Sequence, residues 1–231
     1  MKTERIVLRK RLDFFEDVND YFKRLSGIDM ADIPAKYGSS VEDAREKAME
    51  NLEIGMVYQC DNIETAGETE VVLECRERFT GDMPGRILKD AGQVVSFVVS
   101  LCGYGELAEQ TEDIMEQYFL DTWGSAYVEA AQGWLGRNVL AGLKEEGMSR
   151  THLWSPGQHQ FALSNQKALF RILKPEDIGC RLTGNLMMVP VKSASGIMGI
   201  VPEDVKDLLL PCDFCPYGAA CPASKRGCAE L

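Results

Sequence analysis

QVVSFVVSLCG, residues 93–103, is the stretch whose reading decides the fold of this chain. Val94, Val95, Phe97, Val98, Val99 and Leu101 are apolar and mostly β-branched or aromatic, a composition suited to a pleated, packed surface. Such a run predicts a buried strand at the centre of a sheet. C-terminal to it, Phe119, Trp123, Ala126, Tyr127, Ala130 and Trp134 recur every three or four residues within a stretch of about 106–147, which predicts one long helix lying on that sheet. Gly124, Ser125 and Ala126 in that helix are small enough to admit a close neighbour, which the packing of another element explains.

Working outward, residues 12–24 place Phe14, Phe15, Val18, Tyr21 and Phe22 at helical spacing, and residues 40–52 open with a Ser cap followed by acids. GMVYQCDNI (55–63) and ETEVVLEC (68–75) are β-prone runs around a Gly-containing loop, the pattern of a hairpin. LSNQKALFRIL (163–173) predicts a helix capped by Ser164 and stopped by Pro175. CRLTGNLMMVPVKSASGIMGIV (180–201) predicts two strands around a polar turn. Helices and strands are mixed without regular βα alternation, so the expected class is α+β: a mostly antiparallel twisted sheet with packed helices. The expected layout is an α+β domain over residues 1–208, with a helical N-terminal part at 1–53 and a Cys-rich tail at 209–231.

The chain has 231 residues, 45% hydrophobic and 26% charged, enough to bury a substantial core. Its 36 acids against 25 bases give a net charge of −11, which would repel a phosphate backbone and argues against nucleic acid as a partner. No apolar stretch approaches the roughly twenty residues of a membrane helix. The start, MKTERIVLRKRLDFF, has no apolar core of an export signal, so a cytoplasmic protein is expected. Lys2, Arg5, Arg9, Lys10 and Arg11 give that start a basic character, read as a solvated arm.

Half of the eight cysteines lie in PCDFCPYGAACPASKRGC (211–228): Cys212, Cys215, Cys221 and Cys228, spaced C-x2-C-x5-C-x6-C. Thiolates suit zinc or an iron-sulfur cluster, and the surrounding Pro and Gly favour turns that could wrap a small inorganic centre. Two disulfides or four buried thiols are the competing readings. The absence of an export signal argues against disulfides, and the dense polar spacing argues against buried thiols. Cys60, Cys75, Cys102 and Cys180 stand singly, as core thiols do.

GYGELA (103–108) has the letters of the G-x-G-x-x-A dinucleotide fingerprint, which also requires a second parallel strand ending in an acid about twenty residues on. Here the chain continues as helix. His152 and His159 flank SPG in no metal-binding or base-supplying pattern, and neither G-x-S-x-G nor a P-loop occurs.

DTWGSAYVEA (121–130), SPG (155–157), LSNQKALFRIL and LTGNLMMVPVKSASGIMGI (182–200), in that order, resemble the activation domain of cobalamin-dependent methionine synthase, in particular free-standing versions ending in a cysteine cluster. The resemblance spans about 90–228, and its strongest piece is L-T-x-x-x-x-M-x-P-x-x-S-x-S-G, met by Leu182, Thr183, Met188, Pro190, Ser193, Ser195 and Gly196. It implies a helmet-shaped α+β domain that binds S-adenosylmethionine and docks over a corrinoid. There it takes part in reductive remethylation of inactive cobalamin supplied by a methionine synthase or another corrinoid protein. A flavodoxin or ferredoxin is the implied kind of electron donor, and an iron-sulfur tail would fit a relay. The residues implied for the cofactor site are Glu129, the loop Ser155, Pro156 and Gly157, and Ser195 with Gly196. Leu153 stands where the family has Arg, Gln158 where it has Tyr, and T-G-N (183–185) where it has T-E-S. A lost charge-assisted contact of the Arg kind removes about 1.5 to 3 kcal/mol, or about tenfold to a hundredfold in affinity. On a strand, Arg150 would face away from position 153. The alternative is therefore a non-catalytic corrinoid- or metal-binding module that has lost the nucleotide site.

Overall fold

The computed structural model describes residues 4–158, 160–206, 208–217 and 221. The chain opens with β1 (Arg5–Arg11), α1 (Val18–Ser26), α2 (Ser40–Asn51) and the long β2 (Glu53–Ala66). It continues through β3 (Glu70–Leu73), β4 (Arg78–Thr80), α3 (Asp82–Leu88), β5 (Gln93–Cys102), α4 (Tyr104–Gln110) and α5 (Ile114–Leu143). It closes with β6 (Met148–Arg150), α6 (Gln166–Leu173), β7 (Arg181–Leu182), β8 (Met188–Val189) and β9 (Ser193–Pro202). Seven strands form one sheet in the order β4-β3-β2-β5-β9-β6, with β1 alongside the first half of β2; β7 and β8 form a separate ribbon. Every ladder is antiparallel. The fold is thus α+β with an antiparallel sheet, and β5 lies between β2 and β9 at its centre.

Burial on both faces follows from the alternation within β5. Val95, Phe97, Val99 and Leu101 join the core under α1, α2 and α5, whereas Val94 and Val98 join a second core with α3, α6, Trp154 and Phe161. The helical layer is clamped by Trp123 of α5. Its ring stacks on Phe22 of α1 at a centroid distance of 3.8 Å, and its indole N–H donates to the Val41 carbonyl of α2 at 2.9 Å. One residue thereby ties three helices together, with a buried donor satisfied as burial requires.

Six segments differ from their sequence reading, among them residues 12–24, where a 3-10 turn (Leu12–Phe14) precedes α1, and residues 40–52, where no side chain caps α2. Within the part expected to be helical, Arg5–Arg11 is an edge strand rather than a solvated arm. Ile6 and Leu8 turn to the helical core, while Arg5 and Arg9 on the other face bond Asp177 and Glu53. The charges masked an alternation that needs only two apolar residues. The helix expected over 106–147 is two helices, because Thr111 is extended and the Asp113 carboxylate accepts the Glu116 N–H at 2.8 Å, starting α5 afresh. Ser164 does not cap α6; it sits in a 3-10 turn, and Asn165 instead spends its side chain on Thr80, accepting from its N–H and donating to its carbonyl. Residues 180–201 hold three strands, since Thr183 closes a tight turn between β7 and β8 by accepting the Met187 N–H at 3.1 Å.

Replacing Asp113 with Ala is expected to lower stability by about 1 kcal/mol in urea denaturation, the usual worth of an N-cap. Asp61, buried in β2, has its carboxyl raised above the ordinary 3.8 by burial, against the pull of the Gln59 amide and the Cys75 thiol. Ionising it therefore costs stability that is intact below the unfolded pKa and is lost as pH rises through the folded one. Asp61→Asn should gain stability over the parent progressively as pH rises above 3.8, and a gap that stays constant with pH would contradict this account.

Candidate functional site

Three segments, the first residues of the tail and Leu25 of α1 enclose a cleft of about 460 Å³, a volume suited to a small organic ligand. α5 presents Ser125, Val128, Glu129 and Gln132, which share one helical face. The loop after β6 presents Leu153, Ser155, Pro156 and Gln158, and the segment from β8 into β9 presents Met188 and residues 191–195. Pro211 and Cys212 close one side.

The loop is fastened to the sheet by backbone pairing. Trp154 and Ile197 exchange N–H···O bonds of 2.9 Å in both directions, and the Thr151 N–H donates to the Gly199 carbonyl at 2.9 Å. Gly196 makes this possible, because a Cβ there would stand 2.5 Å from the Trp154 carbonyl oxygen and 2.7 Å from the Phe97 ring. The turn itself is closed by Gly157, at φ +91°, whose N–H donates to the Phe161 carbonyl at 2.7 Å.

Of the six residues the sequence nominated for a cofactor, Glu129, Ser155, Pro156 and Ser195 line the cleft together. Gly157 and Gly196 do not; one shapes the turn with its N–H already engaged, the other lets the turn approach β9. Leu153 and Gln158, the two departures from the family loop, both face the cleft. The third departure, T-G-N at 183–185, lies at the β7–β8 turn outside the lining. Arg150 does not substitute for an Arg at 153: its guanidinium is buried against α5, donating to the Gly136 carbonyl at 2.7 Å, and burial pushes its pKa down.

Lys192 is a charged lining residue that sequence reasoning missed. Its ammonium lies 2.8 Å from both Ser125 Oγ and Asp121 Oδ1, and the Tyr104 hydroxyl donates to that same Asp121 oxygen at 2.9 Å. Burial and the neighbouring Asp121 both raise the Tyr104 pKa, keeping that hydroxyl protonated. Lys192 occupies an unspecified position of the 182–196 motif, so nothing in the pattern distinguishes it. Gln132, by contrast, was reachable as Glu129 plus three on a helix.

The tail cysteines are only partly described. Cys212, Cys215 and Cys221 are half-buried, and Cys228 lies outside the described residues, as does His159. Among the described residues no three Cys, His, Asp or Glu side chains are placed together to hold a metal ion. The dinucleotide reading of GYGELA fails on topology: Gly103 turns β5 into the short α4, and both neighbours of β5 are antiparallel to it. No described helix is long and apolar enough to cross a membrane.

No family model and no curated protein matches the sequence. Among solved structures the chain is similar to a crystal structure of the MetH reactivation domain bound to AdoHcy, with a TM-score of 0.67 and 13% identity over 90% of this chain and 81% of that one. The chain has the fold of the MetH reactivation domain. Within that fold, the motif segment at 182–196 leads into β9 and supplies one wall of the cleft, and SPG supplies the facing loop.

Gly196→Ala is expected to cost about 1 to 3 kcal/mol in chemical denaturation, the range for forcing a methyl group into a packed contact. Its new Cβ must push Trp154 or Phe97 away.

Proposed function

We propose that this protein is an accessory module for a corrinoid partner, binding S-adenosylmethionine in the cleft beside α5 and serving the reductive remethylation of the partner's cobalamin. The observation that carries the reading is the convergence of Glu129, Ser155, Pro156 and Ser195 on one cleft, in a chain with the fold of a reactivation domain whose crystal structure holds AdoHcy. The corrinoid accepts the methyl group, and S-adenosylmethionine supplies it, when both are bound. The contribution of this chain is positional. Glu129 would face the cationic end of the nucleotide, an attraction strengthened where water is excluded, and the Ser155–Pro156 turn and Ser195 would hold it against β9.

Leu153 favours a second reading, a corrinoid-binding module without a nucleotide site, because an apolar side chain stands in the cleft where the family has a cation. Calorimetric titration separates the two. The first reading expects saturable binding of S-adenosylmethionine and AdoHcy in the micromolar range, weakened at least about tenfold by Glu129→Gln. It also expects that adding the protein and S-adenosylmethionine to a cob(II)alamin-loaded corrinoid protein with a reductant converts the spectrum to the methylated form. Absence of nucleotide binding with retained corrinoid-protein binding would leave the second.

For the tail we propose, on the C-x2-C-x5-C-x6-C spacing alone, a clasp for zinc or an iron-sulfur cluster formed by Cys212, Cys215, Cys221 and Cys228. Protein purified without oxygen should carry stoichiometric zinc or iron, lost on replacing Cys215 and Cys221 with Ser; metal-free protein from such a preparation would refute the clasp.

A further inference from the structure

Lys192 combines with Glu129 in a way that the sequence did not signal, and the pairing bears on how the cleft reads its ligand. The Lys192 side chain is only 14% exposed and lines the cleft. Its ammonium has three donors, of which Ser125 and Asp121 take two among the described residues, leaving the third for an acceptor in the cleft. The ammonium is seated at Ser125, and Glu129 follows four residues later on the same face of α5, about 6 Å along the helix axis. The cleft wall thus carries a cation and an anion one turn apart.

That spacing suits a ligand whose own opposite charges share one carbon, because the two groups can reach Lys192 and Glu129 from between them. Resting on the nucleotide reading above, we infer that Lys192 and Glu129 form a clamp for the α-amino-carboxylate end of S-adenosylmethionine or AdoHcy, with Lys192 taking the carboxylate. It would do so in place of a cation at position 153, where Leu153 makes the contact apolar, and Arg150 is committed to Gly136. Lys192 is held in place rather than left to swing: Asp121 and Ser125 anchor the ammonium, and the cation lies 5.5 Å from the centre of the Tyr104 ring.

The test titrates the full chain and its variants with AdoHcy and with 5′-methylthioadenosine, which keeps the nucleoside and thioether but lacks the amino acid end. Lys192→Met is expected to weaken AdoHcy about tenfold to a hundredfold while leaving 5′-methylthioadenosine unchanged, and Lys192→Arg to retain most of the AdoHcy affinity. Asp121→Asn relieves the ammonium of its competing carboxylate and should bind AdoHcy as tightly as the parent or more so. The clamp is overturned if Lys192→Met binds AdoHcy like the parent, if it loses both ligands equally, or if Asp121→Asn loses as much as Lys192→Met, since the last two results mean that Lys192 merely braces the wall. A parent protein that binds neither ligand would instead strike down the nucleotide reading itself, and the clamp with it.

Discussion

The cleft exists because the backbone after β6 comes within touching distance of β9, and it can do so only at a residue with no side chain. At Gly196 the space a Cβ would need is already filled by the Trp154 carbonyl and the Phe97 ring. With that approach allowed, Trp154 and Ile197 pair through two backbone hydrogen bonds, and the following turn is carried to the edge of α5. A loop fastened this way extends the sheet, and the side chains at 153, 155, 156 and 158 line the cleft together with those of α5. Binding surfaces built on rigid elements hold their geometry better than free loops do.

The rigidity beneath the cleft comes from a sheet buried on both faces. β5 contributes side chains to two cores, and α5 lies over one of them with Trp123 joining α1 and α2 to it. The helix that supplies Ser125, Glu129 and Gln132 to the site is therefore the same helix that closes the main core. Residues a few positions apart divide between these tasks: Trp123, Ala126, Tyr127 and Ala130 face inward and are buried, while Ser125 and Glu129 face the cleft.

The charges around the cleft are set by contacts across the fold. Position 153 is the apolar Leu153, Arg150 is drawn under α5, and Lys192 enters from the wall opposite that loop with Asp121 and Ser125 around it. A charge at a cleft wall acts through its position in space, whatever part of the chain it comes from.

Composition and periodicity were sufficient for the elements that bury most: the central strand at 93–103, the hairpin at 55–75 and the long helix through Trp123. The ordered segments from 121 to 200 were legible only through the resemblance, not through composition or periodicity. Burial imposes a repeating pattern, and a pattern is visible in one dimension. What escaped was local or long-range. The edge strand at Arg5–Arg11 hides its two core residues among charges that are satisfied by Asp177 and Glu53, far away in sequence. The break before α5 turned on one carboxylate at Asp113 accepting a single N–H. Glu129, Ser155, Pro156 and Ser195 were nominated by resemblance and meet in the cleft, whereas Gly157 and Gly196 shape the backbone around it. Lys192 could be found only in three dimensions, because its position is set by Asp121 and Ser125 some seventy residues earlier, and no spacing along a chain records a contact made across the fold.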